Sequence, residues 1–315
     1  MDAAQYTTGD NPSVDNWLWI PIALAAAAAQ TVRNAVQRNV TKSAGVLPAT
    51  FIRFFYGLPF AAAMLAGVAI ASPEALPSPS LPFVAWVTLG AISQVVAMAF
   101  FLAAMAQRSF VVAVVFTKTE VLQIGIYSVL FLGESLSMAA MVAIVLSTVG
   151  VVFLSGAPMS ERGLGPTSWI AKGALLGLAA GAAFAIASVG YRGAMLTFGD
   201  LPPWLSGAYG LVWAQAIQTL LLGGYLAARD RGGLLKVMAD WRVSSLAGLA
   251  GALASMGWFT AYAMRSAVDV RIVGLVEVIY SYAVSRRLFR EPVTRLELWG
   301  MVLVVLGIVL VSVGR

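Results

Sequence analysis

Cysteine and histidine are both absent from the 315 residues, and charged residues make up only 11%. Without thiols there are no disulfides, thiolate metal sites or cysteine redox chemistry. Without imidazole, any proton relay must run through carboxylates or other groups. The scarcity of charge excludes most. Hydrophobic residues reach 60%, and no soluble core could absorb so much apolar surface with so little charge left for the exterior. The composition is that of a polytopic membrane protein. The net charge of +6 does not argue for nucleic acid as a partner, because in a membrane chain Lys and Arg mark cytoplasmic loops. There is no Gly-rich phosphate loop, so ATP-driven pumping by this chain is not expected. No carboxylate cluster has metal-ligand spacing, and no serine has a histidine to activate it. Neither enzyme activity nor a metal or cofactor is expected. Residues 1–16 lack the basic start and apolar core of a secretory signal, so the chain is expected to keep them as an N-terminal tail.

What is present is a series of long apolar runs. Ten segments are predicted to be long enough to span a bilayer, at roughly 17–38, 48–70, 81–105, 109–132, 136–156, 168–192, 202–227, 244–266, 269–289 and 296–314. Pro and Gly punctuate the joints, as in "SPEALPSPSLP", "GAPMSERGLGP" and "GDLPP". Runs of small residues such as "AKGALLGLAAGAAFA" allow close helix approach.

The two halves resemble each other. A shift of 157 residues brings Arg108 onto Arg265, Glu120 onto Glu277, Glu134 onto Glu291 and Gly150 onto Gly307. Charged residues are scarce here, so their coincidence carries weight that apolar matches do not. The expected organisation is a five-helix repeat over 17–156, a linker over 157–167 and a second five-helix repeat over 168–315. An odd helix number inserts the copies in opposite senses. Charge agrees: 13 basic residues fall on one side, against Arg192, Arg265, Arg271 and Arg315 on the other. The richer side is expected in the cytoplasm of a cell's inner membrane, with both termini outside.

Several polar residues fall within apolar spans. Glu120 and Glu277 lie near the middles of the fourth and ninth segments, where a lone carboxylate costs several kcal/mol unless protonated, paired or facing water. They read as a substrate or coupling-ion site on a pseudo-twofold axis, or as structural hydrogen bonding between repeats. Lys118 breaks the symmetry, opposite Leu275, and could neutralise Glu277, a substrate or a structural partner. Gln123 shares a helical stripe with Glu120, and Tyr280 shares one with Glu277. Gln30, Arg33 and Asn34 form a polar stripe on the first helix that is expected to face a cavity, although Arg33 also reads as a snorkelling anchor. Arg53 reads as an interfacial anchor. Gln94, Trp258 and Tyr262 are further candidates for substrate contact.

The stretches "TEVLQIGIYSVLFLGESLSMAAMVAIVLSTVGVVFL" and "VEVIYSYAVSRRLFREPVTRLELWGMVLVVLGIVLV" resemble the EamA branch of the drug/metabolite transporter superfamily. Val121 and Val278 stand where that family often has proline, and Arg290 where it has a second glycine. The resemblance implies secondary transport by alternating access, with helices one, three, four, six, eight and nine around a central cavity. Helices five and ten would be scaffold, and Glu134 and Glu291 would serve turns and helix starts. The leading reading is an exporter of a small polar or amphipathic metabolite, such as an amino acid or a related zwitterion or organic anion, with coupling to protons. The intramembrane charges are about balanced, which argues against a dedicated carrier of bulky cations. A flippase for a lipid-linked substrate and a multidrug exporter are the alternatives, with a non-transporting receptor behind them. The expected partners are a small-molecule substrate and the lipid bilayer. Monomer and homodimer both stay open.

Overall fold

The computed structural model describes residues 17–105, 116–154, 168–239, 241–280, 283 and 295–313. All regular structure among them is helical. Among the described residues, six helices are long and apolar enough to cross a membrane: Val46–Ala71, Leu81–Ala104, Gly173–Leu196, Pro203–Arg229, Trp241–Met264 and Arg295–Val313. Shorter apolar helices cover Glu120–Leu132 and Met138–Phe153. The residues divide into two compact units, 1–92 with 190–266 and 93–189 with 267–315. Each unit therefore draws on both halves of the sequence.

The first unit contains α1 (Trp19–Ala44), α2 (Val46–Phe55), α3 (Gly57–Ala71), the start of α4 (Leu81–Met105) and the end of α7 (Ser168–Leu196). It also contains α8 (Pro203–Arg229), α9 (Arg231–Ala239) and α10 (Trp241–Met264). The expected second segment is interrupted at Tyr56, which separates α2 from α3. Pro59 has no N–H to donate to the carbonyl of Phe55, so the helical ladder is broken one turn before it. Helix α1 runs along α10 at close range: a Cβ at Gly257 would lie 2.7 Å from that of Ala26. Any larger residue would push the two helices apart. Phe83 packs against Phe198, Tyr209 and Trp213 with centroid separations of 4.8, 5.4 and 5.9 Å.

Helix α9 lies in what the sequence reading takes as a joint. Asp230 starts it by accepting a hydrogen bond from the Gly233 N–H at 2.9 Å. Val237 is buried with Ala49 and Ile52 of α2, and Tyr56 packs on the same cluster. Leu235, Lys236 and Met238 are left exposed.

The second unit holds the rest of α4 and α7, then α5 (Glu120–Tyr127), α6 (Met138–Leu154), α11 (Ala267–Gly274), helical residues 276–280 and α12 (Arg295–Val313). A π-helical turn, Ser128–Leu132, extends α5 and ends at Gly133, whose φ of 66° is left-handed and suits glycine. Ser137 caps α6, its Oγ accepting from the Ala140 N–H at 3.1 Å. Glu134, by resemblance a turn and helix-start residue, lies in the connection before that cap. Glu291 lies outside the described residues.

Helices α6 and α12 pack backbone to backbone. A Cβ at Gly150 would lie 2.7 Å from the Gly300 carbonyl oxygen, and a Cβ at Gly307 would lie 3.1 Å from that of Ala143. Under the 157-residue shift, 150 maps to 307 and 143 maps to 300. Each contact is the counterpart of the other.

Candidate functional site

The stretch around Glu120 is built by a helix interruption. Residues 118–119 form a turn immediately before α5. There the Thr119 N–H donates to the Phe116 carbonyl at 3.3 Å, a three-residue spacing in place of the helical four. The Thr119 hydroxyl donates to the same oxygen at 2.6 Å and accepts from Gln123 Nε2 at 2.9 Å. A hydroxyl that takes a backbone carbonyl in this way competes with the helical ladder. Helix α7 comes close beside the turn, since a Cβ at Gly181 would lie 2.9 Å from the Thr117 carbonyl oxygen and 3.2 Å from Gln123 Nε2.

Glu120 is the first residue of α5, where the helix dipole favours a negative charge. Its side chain is 6% exposed and forms a salt bridge with Arg271 Nη2 of α11, itself 19% exposed. Neither charge could be held so far from water at small cost alone; together each offsets the other's desolvation. Past Arg271 the ninth segment is also interrupted. Leu275 forms a turn between α11 and residues 276–280, with the Leu275 N–H bonded to Ile272 O at 3.1 Å and the Val278 N–H to Leu275 O at 3.0 Å. Gly274, a poor helix former, immediately precedes the break. Leu275 is the counterpart of Lys118 under the 157-residue shift. Both segments thus break two residues before their glutamate.

The other sequence candidates fall in both units. Lys118 is half-buried in the turn before α5. Glu277 and Tyr280 are half-buried in 276–280, and Gln94 is half-buried on α4. These belong to the second unit with Glu120 and Gln123. Gln30, Arg33, Asn34, Trp258 and Tyr262 belong to the first. Within it, Trp258 Nε1 donates to Gln30 Oε1 at 3.1 Å, joining α10 to α1. Arg33 is buried, and its Nη2 and Nε donate to Asn34 Oδ1 at 2.8 and 3.3 Å. The carbonyl of Tyr262 accepts from Arg192 Nη1 at 2.6 Å, and that of Ala263 from the same nitrogen at 3.3 Å. Arg192 thereby satisfies carbonyls that the end of α10 leaves without a helical donor.

Two arginines have places that the sequence reading does not assign. Arg271, grouped there with the helix-end residues of one membrane side, is the partner of Glu120. Its signal is its position inside the predicted segment 269–289. Arg53, read as an interfacial anchor, is only 8% exposed. Its guanidinium carbon lies 4.4 Å from the ring centroid of Phe54. Arg33 and Arg53 both come near Gly251 of α10: a Cβ there would lie 3.3 Å from Arg33 Cδ and 3.5 Å from Arg53 Cβ. Arg33 and Arg53 are close enough for their charges to repel. Tyr191 is held by Gln218 Nε2, which donates to its oxygen at 2.9 Å, and by Phe259, at a 4.6 Å centroid separation.

Comparison with known proteins follows from this geometry. Among 27 matching chains of solved structures, one crystal structure superposes with a TM-score of 0.66 at 17% identity, covering 94% of this chain and 95% of its own. At that identity the likeness speaks for the fold alone. No curated protein matches the sequence. Residues 17–156 match the model of the EamA-like transporter family. With its series of long apolar helices, the chain is a multi-pass membrane protein whose residues 17–156 are similar to the EamA-like transporter family.

Proposed function

We propose that the protein is a secondary active transporter that exports a small polar or amphipathic metabolite, such as an amino acid or a related zwitterion or organic anion. The observation that carries this reading is the buried Glu120–Arg271 pair, set where a helix breaks. A membrane protein keeps such charges and non-helical backbone at depth where they are enclosed by protein or line a hydrated path. Discontinuous helices are a recurrent way to build transporter sites.

In this reading ten spans form two inverted five-helix repeats in a cell's inner membrane, with both termini outside. The reciprocal α6–α12 contacts and the matched breaks at Lys118 and Leu275 support a pseudo-twofold relation. Alternating access would move the substrate, and Glu120 would exchange Arg271 for a proton during the cycle. Protonating the carboxylate removes its attraction for the guanidinium, and deprotonation restores it. That gives one side chain two states with different partners, which coupling requires. Glu277 is the second candidate for this role.

The test is transport in liposomes under an imposed pH gradient. Glu120→Gln should abolish gradient-driven accumulation while substrate exchange survives. Proton-driven uptake that is unchanged in both Glu120→Gln and Glu277→Gln would discard the coupling.

A further inference from the structure

We propose that α9 and the start of α10 form a docking surface for anionic phospholipid, whose headgroup phosphates pair with Arg231, Lys236 and Arg242. The proposal goes beyond the transport reading and does not depend on it. It needs only that α9 joins two membrane spans.

The first observation is where α9 lies and how it is held. It connects α8 to α10, both long and apolar enough to cross a membrane, so it lies where those spans leave the hydrocarbon. Its inner face is packed: Val237 is buried with Ala49 and Ile52, and a Cβ at Gly233 would lie 2.6 Å from Pro48 Cγ. Its end is fastened as well. Ser244 Oγ donates to the Val237 carbonyl at 3.1 Å, and the Tyr56 hydroxyl donates to that of Met238 at 3.4 Å. A helix fixed in this way presents its outer residues with little ordering cost on binding.

The second observation is what those outer residues are. Leu235, Met238 and Trp241 are 66%, 44% and 57% exposed. Arg231, Leu235 and Met238 recur at spacings of four and three, so they share one flank of the helix. Apolar side chains exposed beside a base suit the acyl boundary, with the base reaching to headgroup level. Tryptophan anchors at that level, and the Arg242 guanidinium carbon lies 5.5 Å from the Trp241 ring centroid.

Charge is the third observation. Arg229, Arg231, Lys236 and Arg242 are all exposed, and among the described residues none of them is in a salt bridge. Arg231 donates Nε to the Ala227 carbonyl at 2.8 Å, which leaves its Nη groups for a phosphate. Residues 229–242 set these four bases against Asp230 and Asp240, and Asp230 is engaged by the Gly233 N–H. Excess positive charge at the edge of the hydrocarbon selects lipids that carry negative charge.

The experiment follows thermal unfolding of the purified full-length protein in neutral detergent as phosphatidylglycerol or phosphatidylcholine of the same acyl chains is added. A lipid that binds the folded state raises the melting temperature by mass action. Phosphatidylglycerol should stabilise the wild type more than phosphatidylcholine, and the difference should shrink as sodium chloride is raised. At about fivefold in apparent affinity per base, Arg231→Gln/Lys236→Gln/Arg242→Gln should weaken phosphatidylglycerol by about a hundredfold and leave phosphatidylcholine unchanged. Lys236→Gln alone should weaken it by about fivefold, and serves as the test where the triple variant does not fold. Arg295→Gln, which removes an exposed base at the start of α12, should keep the full preference. Equal stabilisation of the wild type by the two lipids overturns the proposal. So does a preference undiminished in the triple variant, or one that Arg295→Gln weakens as much as Lys236→Gln, which would make it an effect of net charge. Stabilisation by inorganic phosphate to the same extent as by phosphatidylglycerol would assign these bases to a soluble anion, and overturns it too.

Discussion

Removing Arg271 isolates the electrostatics of the Glu120 site. In Arg271→Gln the carboxylate keeps its buried place, with its side chain 6% exposed, but loses its countercharge. Breaking a buried pair from one side costs about 3–5 kcal/mol. The lower end applies here, because a chain reorganised around a neutral Gln can still offer one amide donor. A second bound comes from protonation. An ordinary carboxylate takes up a proton at pH 7 for about 4 kcal/mol, so an isolated one need not cost more than that. Each unit of acidification lowers this bound by about 1.4 kcal/mol. Arg271→Gln should therefore be less stable than wild type at pH 7, and the deficit should shrink towards pH 5. Glu120→Gln should cost less, because Arg271 is 19% exposed and can recover some hydration. The double variant should recover much of the loss, since two neutral amides can bond to each other. Thermal unfolding of the four proteins at pH 7 and pH 5 completes the cycle. At about 2–4 °C per kcal/mol for larger domains, the single Arg271 loss should be several degrees. Additive single losses with no pH dependence would refute the argument that these charges hold each other in place.

Two further predictions concern packing and capping. Gly150→Ala and Gly307→Ala should each destabilise by about 1–3 kcal/mol, read as lowered melting temperatures, because the added methyl meets the Gly300 carbonyl in the first case and Ser147 Oγ and the Ala143 carbonyl in the second. Asp230→Ala should cost about 1 kcal/mol and loosen α9 first, seen as faster amide exchange at Gly233 and Leu234; unchanged exchange there would remove Asp230 from the capping role.

The candidate site was partly legible. Glu120 declared itself because a carboxylate in an apolar run has few tolerable explanations. Thr119 did not, since a single hydroxyl is common in such helices and only its bond to Phe116 O reveals that it helps break the ladder. Arg53 misled because an arginine one turn into a predicted span is ordinarily an anchor. It packs beside Gly251, nearly 200 residues away, and sequence spacing cannot report that. Helix α9 escaped because nine residues with two basic ones and two glycines have weak periodicity. Val237 finds its apolar partners only in α2.

Hydropathy and composition by themselves determined that this chain is a helical membrane protein, because lipid leaves a backbone few ways to satisfy its polar groups. The spacing of scarce charges also exposed the likeness between halves. Tertiary structure alone decided that Glu120 meets Arg271, 151 residues away, and that Arg33 and Arg53 share one glycine on α10. A charge in an apolar run announces that it needs a partner or water, but the choice between them is made by whichever helix packs against it.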